Sequence, residues 1–186
     1  MVTAHRVTIA EIERNPPEGR WEIIDGEIVP MNATSYRSAR VSARIVGLLS
    51  IYADDHQLGD VLGPDAGFVI FADESTLLAP DVSFVAKHRV PKAEEQDSFP
   101  RLAPDLVVEV MSPSDRMTDA LRKIALYQRA GVPMLWLVEP SPRTITLFLP
   151  DQPPRRLAGD ETIAADPILP GFAMTVDDLI GPSPEA

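Results

Sequence analysis

The residue best suited to carry chemistry is Glu109, a carboxylic acid inside the apolar run Leu-Val-Val-Glu-Val-Met at 106–111. In a β-strand alternate side chains share a face, so Glu109 lies on the same face as Val107 and Met111. A buried carboxylate must be protonated, ion-paired or bound to a metal ion, because burying an unpaired charge is costly. Glu109 is therefore a candidate metal ligand. The alternative is a position at the rim of the sheet, where it pairs with a surface base.

A second carboxylate is offered by two Pro-Asp steps, at 80–81 and 104–105. Asp105 precedes Glu109 by four residues on one strand, about 13 Å at ~3.3 Å per residue, which is too far to share one ion. Asp81 begins the preceding strand, and adjacent strands lie only ~5 Å apart, so Asp81 can share a site with Glu109 if the register allows. The alternative for Asp81 is a polar turn residue before a strand.

A distance argument brings a cation to the same place. Between Glu109 and Pro113 the predicted strand extends about 13 Å along the sheet. The following ten or so helical residues, up to Lys123, cover about 15 Å in the opposite direction. If this helix packs back along the sheet, Lys123 is level with Glu109 and its long side chain can reach inward. The alternative is a surface pair with Asp119, one helical turn earlier.

Other basic residues occur in a chain that is acidic as a whole. Its 28 acidic and 17 basic side chains give a net charge of −11. A protein surface that binds nucleic acid through its overall charge is positive instead. Any contact with DNA must therefore be local. The stripe of Arg37, Arg40 and Arg44 could grip phosphates, although such a stripe is more often a solvated face with modest ion pairs. The Lys-His-Arg run at 87–89 is equally ambiguous.

The elements that position these residues follow an α/β order. Asp25-Gly26 between two β-prone runs predicts an N-terminal β-hairpin. Apolar residues at helical spacing predict a first long helix over about 36–56. Three apolar runs of strand length predict neighbouring core strands at 67–71, 81–86 and 106–111.

A second helix follows the last of these strands. Ser112 as cap, Pro113 at the first helical position and Asp115 three residues after the cap predict its start. Two more strands are predicted at 134–138 and 144–149. This order predicts a mixed α/β sheet flanked by helices, with a right-handed strand–helix–strand crossover. The predicted buried face of the second helix consists of Met117, Leu121 and Ile124.

Length and composition predict one domain. The chain has 186 residues, 45% of them apolar, and no cysteine, which excludes disulfides and thiol chemistry. Apolar runs are shorter than the ~18 residues of a membrane span, and no secretion signal is evident, so we expect a cytoplasmic protein without a membrane partner. We divide the domain into a helix and hairpin extension (1–35), a core (36–150) and an acidic, proline-rich tail that wraps the core (151–186).

Three ordered motifs resemble the Uma-two family of "putative restriction endonucleases". They are Trp-Glu-Ile-Ile-Asp-Gly-Glu at 21–27, Ala-Pro-Asp-Val-Ser-Phe-Val at 79–85 and Pro-Asp-Leu-Val-Val-Glu-Val-Met-Ser-Pro-Ser-Asp-Arg at 104–116. The pattern Lys123-x-x-x-Tyr127 and the run Gly-Val-Pro-Met-Leu-Trp-Leu-Val at 131–138 extend the likeness over nearly the whole chain. The resemblance implies a restriction-endonuclease-like, PD-(D/E)XK nuclease fold, whose core of helix, three strands, helix and strand matches the predicted order.

The resemblance also implies roles for individual residues. Asp81 corresponds to the metal-binding aspartate, and Glu109 to the acid of the E-x-K element. The lysine position of that element holds Met111, so the resemblance implies that Lys123 substitutes for it from the second helix. Apart from the resemblance, we expect the backbone carbonyl of Val110 to join Asp81 and Glu109 as a metal ligand.

Three further positions bear on this comparison. Ser38 stands where members often carry a histidine near the start of the first long helix. Asp65 stands where glutamate is more usual. Glu22 fits the opening pattern of the family, without a role that the sequence assigns.

Taken together, these residues predict a DNA endonuclease that depends on magnesium or manganese, because hard oxygen ligands suit these ions. The ion would activate a water, and Lys123 would orient that water or stabilise developing negative charge. A homodimer would let two sites cut both strands. Two alternatives stay open: a catalytically silent nuclease-like scaffold used for binding or assembly, and a metal-dependent hydrolase of a small acid or nucleotide.

Overall fold

A computed structural model describes residues 6–182, so residues 1–5 and 183–186, the ends of the predicted extension and tail, lie outside the described residues. The helices are α1 (Ile9–Arg14), α2 (Tyr36–Asp55), α3 (Met117–Arg129) and α4 (Val176–Ile180), with short 3-10 helices at Lys87–Arg89 and Ala93–Glu95. The strands are β1 (Trp21–Ile24), β2 (Glu27–Pro30), β3 (Gly59–Leu62), β4 (Phe68–Val69), β5 (Leu77–Leu78), β6 (Val82–Ala86), β7 (Leu106–Val110), β8 (Met134–Glu139), β9 (Thr144–Phe148), β10 (Arg155–Ala158), β11 (Thr162–Ala164) and β12 (Ala173–Thr175). Across this part of the chain, no helix combines the length and the apolar character needed to cross a membrane.

The main sheet has six strands in the order β10-β9-β8-β7-β6-β3. Only β7 and β8 are parallel neighbours, because α3 connects them as a crossover. The two faces of the sheet are covered by different elements. Val108 and Trp136 pack with α2 and α4 on one face, while Val107 and Leu135 pack with α3 on the other. This mixed sheet between helices confirms the predicted α/β fold class.

A smaller sheet has the order β2-β1-β5-β4, and it corrects one prediction. The run 67–71 was expected beside the strand 81–86, but Phe68–Val69 pairs with Leu77–Leu78 in the smaller sheet. The outer neighbour of β6 is instead Gly59–Leu62, which the sequence did not indicate. Its four residues are only partly buried or exposed, as in an edge strand, so they form no apolar run.

The start of α3 is a second correction. The helix begins at Met117 instead of Pro113, and its N-cap Arg116 makes no capping hydrogen bond through its side chain. The Ser112 amide donates to Asp115 Oδ2 at 2.7 Å, and the Asp115 amide donates to the Ser112 carbonyl. The serine and aspartate that resemble a helix cap therefore close a separate turn, because these side chains satisfy turns and caps with the same bonds.

The buried face of α3 also differs from the prediction. Ile124 is buried, but Met117 and Leu121 are 40% and 45% exposed. Ala120, Ile124 and Tyr127 lie on the face that packs against the sheet. Since Lys123 also points inward here, as described below, the helix turns a face of mixed polarity towards the sheet, and the apolar pattern alone selects the wrong residues.

The segment after residue 150 packs against the core through a strand and a helix. Its strand β10 pairs with β9 and extends the main sheet. Helix α4 lies against α2, where Arg44 donates from Nε and Nη2 to the Asp178 carbonyl at 3.0 and 2.8 Å. Arg40 donates to the Pro182 carbonyl at 2.9 Å. Two members of the predicted arginine stripe therefore hold the C-terminal segment.

The assignment of the buried face of α3 can be tested by paired truncations. We expect Ile124→Ala to lower the free energy of unfolding by about 2–5 kcal/mol, because it leaves a cavity in the core. Leu121→Ala should cost about 1 kcal/mol, since only part of that side chain leaves water on folding. Urea denaturation followed by circular dichroism measures both. Equal losses would contradict the orientation of the helix.

Candidate active site

The predicted site lies at the end of β7, where the register brings two carboxylates together. Val82 pairs with Val108 in antiparallel strands, so the next step places Asp81 across from Glu109. Asp81 Oδ2 accepts a hydrogen bond from the Val110 amide at 2.7 Å. The structure thus meets the condition that the sequence left open, namely that the strand register should allow these two acids to share a site.

Lys123 reaches this place from α3. Its Nζ lies 2.8 Å from Glu109 Oε1 and 2.8 Å from Glu22 Oε1, and only 16% of its side chain is exposed. The alternative of a surface pair with Asp119 is therefore not what the structure shows. The distance argument located Lys123 correctly although the helix starts later than predicted. Residues 113–116, which were predicted to be helical, form a turn instead, and this turn still brings the chain back far enough for Lys123 to reach Glu109.

Glu22 is the site residue to which the sequence assigned no role. It lies on β1 in the smaller sheet, is 4% exposed, and accepts a hydrogen bond from the Ala79 amide at 2.9 Å. Its signal in the sequence is the same as that of Glu109, an acid flanked by strand-forming apolar residues. What the sequence did not reveal is that β1 faces α3, because that depends on how the two sheets pack.

Tyr127 completes the set of side chains around Glu109. It is fully buried, lies one helical turn after Lys123, and donates from its hydroxyl to Glu109 Oε1 at 3.0 Å. Lys123 and Tyr127 thus hold the same carboxylate oxygen. Within residues 6–182, Glu109 Oε2 and Asp81 Oδ1 have no hydrogen-bond donor. One oxygen of each acid is held by the protein and the other remains available.

Burial and charge set the protonation of these groups. Burial raises the pKa of Glu109 to about 7, against the opposing charge of Lys123 and with a contribution from Asp81. Burial also raises the pKa of Asp81. Burial by itself would lower the pKa of Lys123, but Glu109 and Glu22 more than offset this and keep it well above its usual value. Burial, together with Glu109, holds the pKa of Tyr127 far above its ordinary range. At neutral pH, Lys123 is therefore charged and the Tyr127 hydroxyl keeps its proton.

These side chains open into a cavity of about 350 Å³, which we call the carboxylate pocket. It is defined by Glu22, Asp81, Glu109 and Lys123. In the described part of the chain, no cluster of three or more His, Cys, Asp or Glu side chains is arranged to hold a metal ion. Asp81 and Glu109 nevertheless fit a magnesium ion, which takes one or two carboxylates and completes its shell with water and phosphate oxygens.

Other residues that the sequence singled out have structural contacts. Asp105 accepts from the Ala86 amide at 2.8 Å and pairs with Arg89 at 2.6 Å, so both belong to the framework of the strands. Asp65 is exposed and pairs with Arg20 at 3.2 Å. Ser38 is buried and donates to the Met111 carbonyl at 2.8 Å, which links α2 to the end of β7.

The mixed sheet and its crossover helix form a nuclease-like α/β fold, with Glu109 on β7 and Asp81 just before β6. The family model Uma2, described as "Putative restriction endonuclease", matches residues 8–177, so the chain belongs to the Uma2 (Uma-two) family. This confirms the resemblance drawn from the motifs.

A solved structure shares this fold. It is a crystal structure titled as that of "a putative nuclease belonging to DUF820 from Anabaena variabilis ATCC 29413", with a TM-score of 0.80 and 20% sequence identity over 94% of this chain and 97% of that one. At this identity the likeness shows the fold alone. No curated protein matches the chain.

The buried ion pairs predict a specific pattern of stability. Lys123→Met should lower the free energy of unfolding by about 3–5 kcal/mol, because two buried carboxylates lose their cation. Arg122→Met is the matched control on the same helix. Its pair with Asp25 is 3.7 Å long and more than half exposed, so its loss should cost under about 1 kcal/mol. Urea titrations at neutral pH measure both variants, and a similar cost for the two would contradict the buried network.

Proposed function

We propose that the protein is a metal-dependent DNA endonuclease that hydrolyses phosphodiester bonds. Asp81, Glu109 and the Val110 carbonyl would hold magnesium or manganese, and Lys123 would act beside them. The proposal includes a cytoplasmic location, in keeping with a chain that has no cysteine.

One observation carries this proposal: an ammonium group from α3 lies within 2.8 Å of the acid on β7. In the resembling nucleases a lysine two residues after that acid is usual, and here Met111 occupies the position. Lys123 restores a cation beside the two acids from another element. The family description supports nuclease chemistry in general.

The chain's own residues have distinct tasks in this scheme. Hard carboxylate oxygens suit magnesium and manganese, and the free oxygens of Asp81 and Glu109 are the ligands to be offered. When bound, such an ion supplies Lewis acidity to a phosphate oxygen and lowers the pKa of its bound water. Tyr127 holds the other oxygen of Glu109 in place by hydrogen bonding. In metal sites, hydrogen bonds from residues that do not touch the ion orient the side chains that do. The hydrogen bond of Tyr127 would orient Glu109 in the same way.

Lys123 serves as an electrostatic group and not as a base, because it stays charged. An ammonium group has three donors, and Glu22 and Glu109 each accept one. The third can donate to a phosphate oxygen or to the attacking water, where negative charge develops. Glu22 would then be a positioning residue, since it aims Lys123 and does not itself need to touch the substrate.

Cleavage of linear, supercoiled and single-stranded DNA with magnesium or manganese tests the proposal. We expect cleavage that is abolished by EDTA and reduced at least about 100-fold in Asp81→Asn, Glu109→Gln and Lys123→Gln. Manganese binding measured by calorimetry should be lost in the first two variants. Each variant is assayed at a temperature where circular dichroism shows it folded.

Asp105→Asn is the matched control, because it belongs to the other Pro-Asp step and its carboxylate contacts Arg89. Its manganese binding should equal that of the wild type. The nitrophenyl ester of thymidine monophosphate, included as a small substrate, tests hydrolysis of a nucleotide alone. Cleavage by wild type that survives in Asp81→Asn and Glu109→Gln would reject the assigned site.

The second candidate function is a catalytically silent scaffold for binding or assembly. It is favoured by the two ion pairs of Lys123, which hold α3 to β1 through Glu22 and to β7 through Glu109 without any substrate. The net charge of −11 also favours it. A folded wild-type protein that neither binds manganese nor cleaves any of these substrates would establish this function over the endonuclease.

A homodimer belongs to the same proposal, because two sites related by symmetry could cut both strands. We expect sedimentation velocity at micromolar concentration to give the mass of two chains, about 41 kDa from a chain of 20.4 kDa. A single species with the mass of one chain would remove this part of the proposal and leave the site unaffected.

A further inference from the structure

A second groove adjoins the carboxylate pocket at the start of α2. It has a volume of about 720 Å³ and we call it the Tyr36 groove, defined by Tyr36, Arg37, Pro113 and Pro140. Met111 and Ser112 line both the groove and the carboxylate pocket, so the two cavities share one wall. Tyr36 is 88% exposed, and its ring therefore has a face open to a ligand.

The charged residues that line this groove are Arg37, Arg40 and Glu139, so its net charge is positive and opposite in sign to that of the chain as a whole. Arg44 and Arg40 hold the C-terminal segment, but Arg37 makes only a long hydrogen bond of 3.4 Å to Ser141 within the described residues. The groove also contains Glu139, whose carboxylate pairs with Arg156 at 3.1 Å. The member of the arginine stripe that remains available for a phosphate is thus the one beside the exposed tyrosine.

We propose that the Tyr36 groove binds a nucleotide of a single DNA strand, adjacent to the phosphate that occupies the carboxylate pocket. This inference rests on the proposed endonuclease function and adds that each strand, including either strand of a duplex, enters its site with unpaired bases. The Tyr36 ring offers a stacking surface for a base, and Arg37 offers a cation for the backbone. The prolines add an apolar floor that needs no hydrogen-bond partner.

The geometry favours a single strand over a duplex. In a duplex the faces of the bases are stacked inside, so a base cannot rest on Tyr36 unless it leaves the helix. A strand whose bases are unpaired can cross the wall formed by Met111 and Ser112 with a phosphate on one side and a base on the other. A local basic groove also fits a chain with no general positive surface for a duplex.

Fluorescence anisotropy tests the proposal with a labelled oligothymidylate of about 15 nucleotides in EDTA, where cleavage does not occur. We expect Tyr36→Ala to weaken single-strand binding by about 5- to 150-fold, and Tyr36→Phe to bind within about twofold of the wild type, because the ring face persists. Arg37→Ala should lower the slope of log affinity against log salt by about 0.7.

Ile51→Ala is the matched control on the same helix. Ile51 is 64% exposed and lies outside both cavities, so its truncation should leave the affinity unchanged. Thermal melting checks that every variant is folded. Binding by Tyr36→Ala equal to that of the wild type would overturn the proposal, and so would an equal dependence on Tyr36 for a fully paired duplex of the same length.

Failure of this inference and failure of the endonuclease function give different results. Tyr36-dependent binding of the single strand without cleavage under any metal condition keeps the groove and rejects the endonuclease. Metal-dependent cleavage with unchanged binding in Tyr36→Ala keeps the endonuclease and rejects the groove. No binding of the oligonucleotide by wild type at any concentration up to tens of micromolar also rejects the groove.

Discussion

The ammonium group of Lys123, buried between the carboxylates of Glu22 and Glu109, is the interaction on which the arrangement of the site depends. Glu109 belongs to the main sheet, Glu22 to the smaller sheet, and Lys123 to the crossover helix that packs between them. None of these charges can be buried alone, because a carboxylate or ammonium without a partner loses its hydration and gains nothing in return. The two sheets and α3 must therefore come together as one set. The β1–β2 hairpin of the N-terminal extension therefore contributes Glu22 to this buried network.

The cation beside Glu109 comes from α3 and not from β7, so its position depends on how this helix packs. A lysine two residues after Glu109 would share its face by strand alternation, and its reach would be fixed by β7 alone. On α3 the lysine is accompanied by Tyr127 one turn later, so one helix face delivers both a cation and a neutral donor to a single carboxylate oxygen. The other oxygen stays free as a result. The cost is dependence on packing, since a small rotation of α3 would displace both groups together.

The sequence predicted those features that local patterns determine. The hairpin around Asp25, the long helix α2 and the crossover from β7 to β8 all follow from short-range periodicity and turn residues. Adjacent strands made a shared site for Asp81 and Glu109 possible, but the register that brings them together came only from the structure. The position of Lys123 beside Glu109 followed from a length estimate. The wrong or missing predictions concern which distant segment a strand or side chain contacts, and short-range sequence patterns do not contain that information. The run 67–71 has the composition of a core strand, but nothing within it tells which sheet it joins. Glu22 was recognisable as an acid in a strand, yet its contact with Lys123 depends on that same packing of sheets. The turn at Ser112 imitates a helix cap because both structures use one hydrogen-bonding pattern.

The two outer strands of the main sheet, β3 and β10, are both four residues long and carry exposed charge. Asp60 is exposed on β3, and Arg155 and Arg156 are exposed on β10. A sheet ends in a row of unpaired backbone groups, which can recruit a strand from another molecule and begin aggregation. Short edges with charged side chains discourage such pairing, because a docking strand would have to bury those charges. Strand β3 was not predicted from the sequence because it is short and polar. The same two properties disfavour edge-to-edge pairing of folded chains through the main sheet.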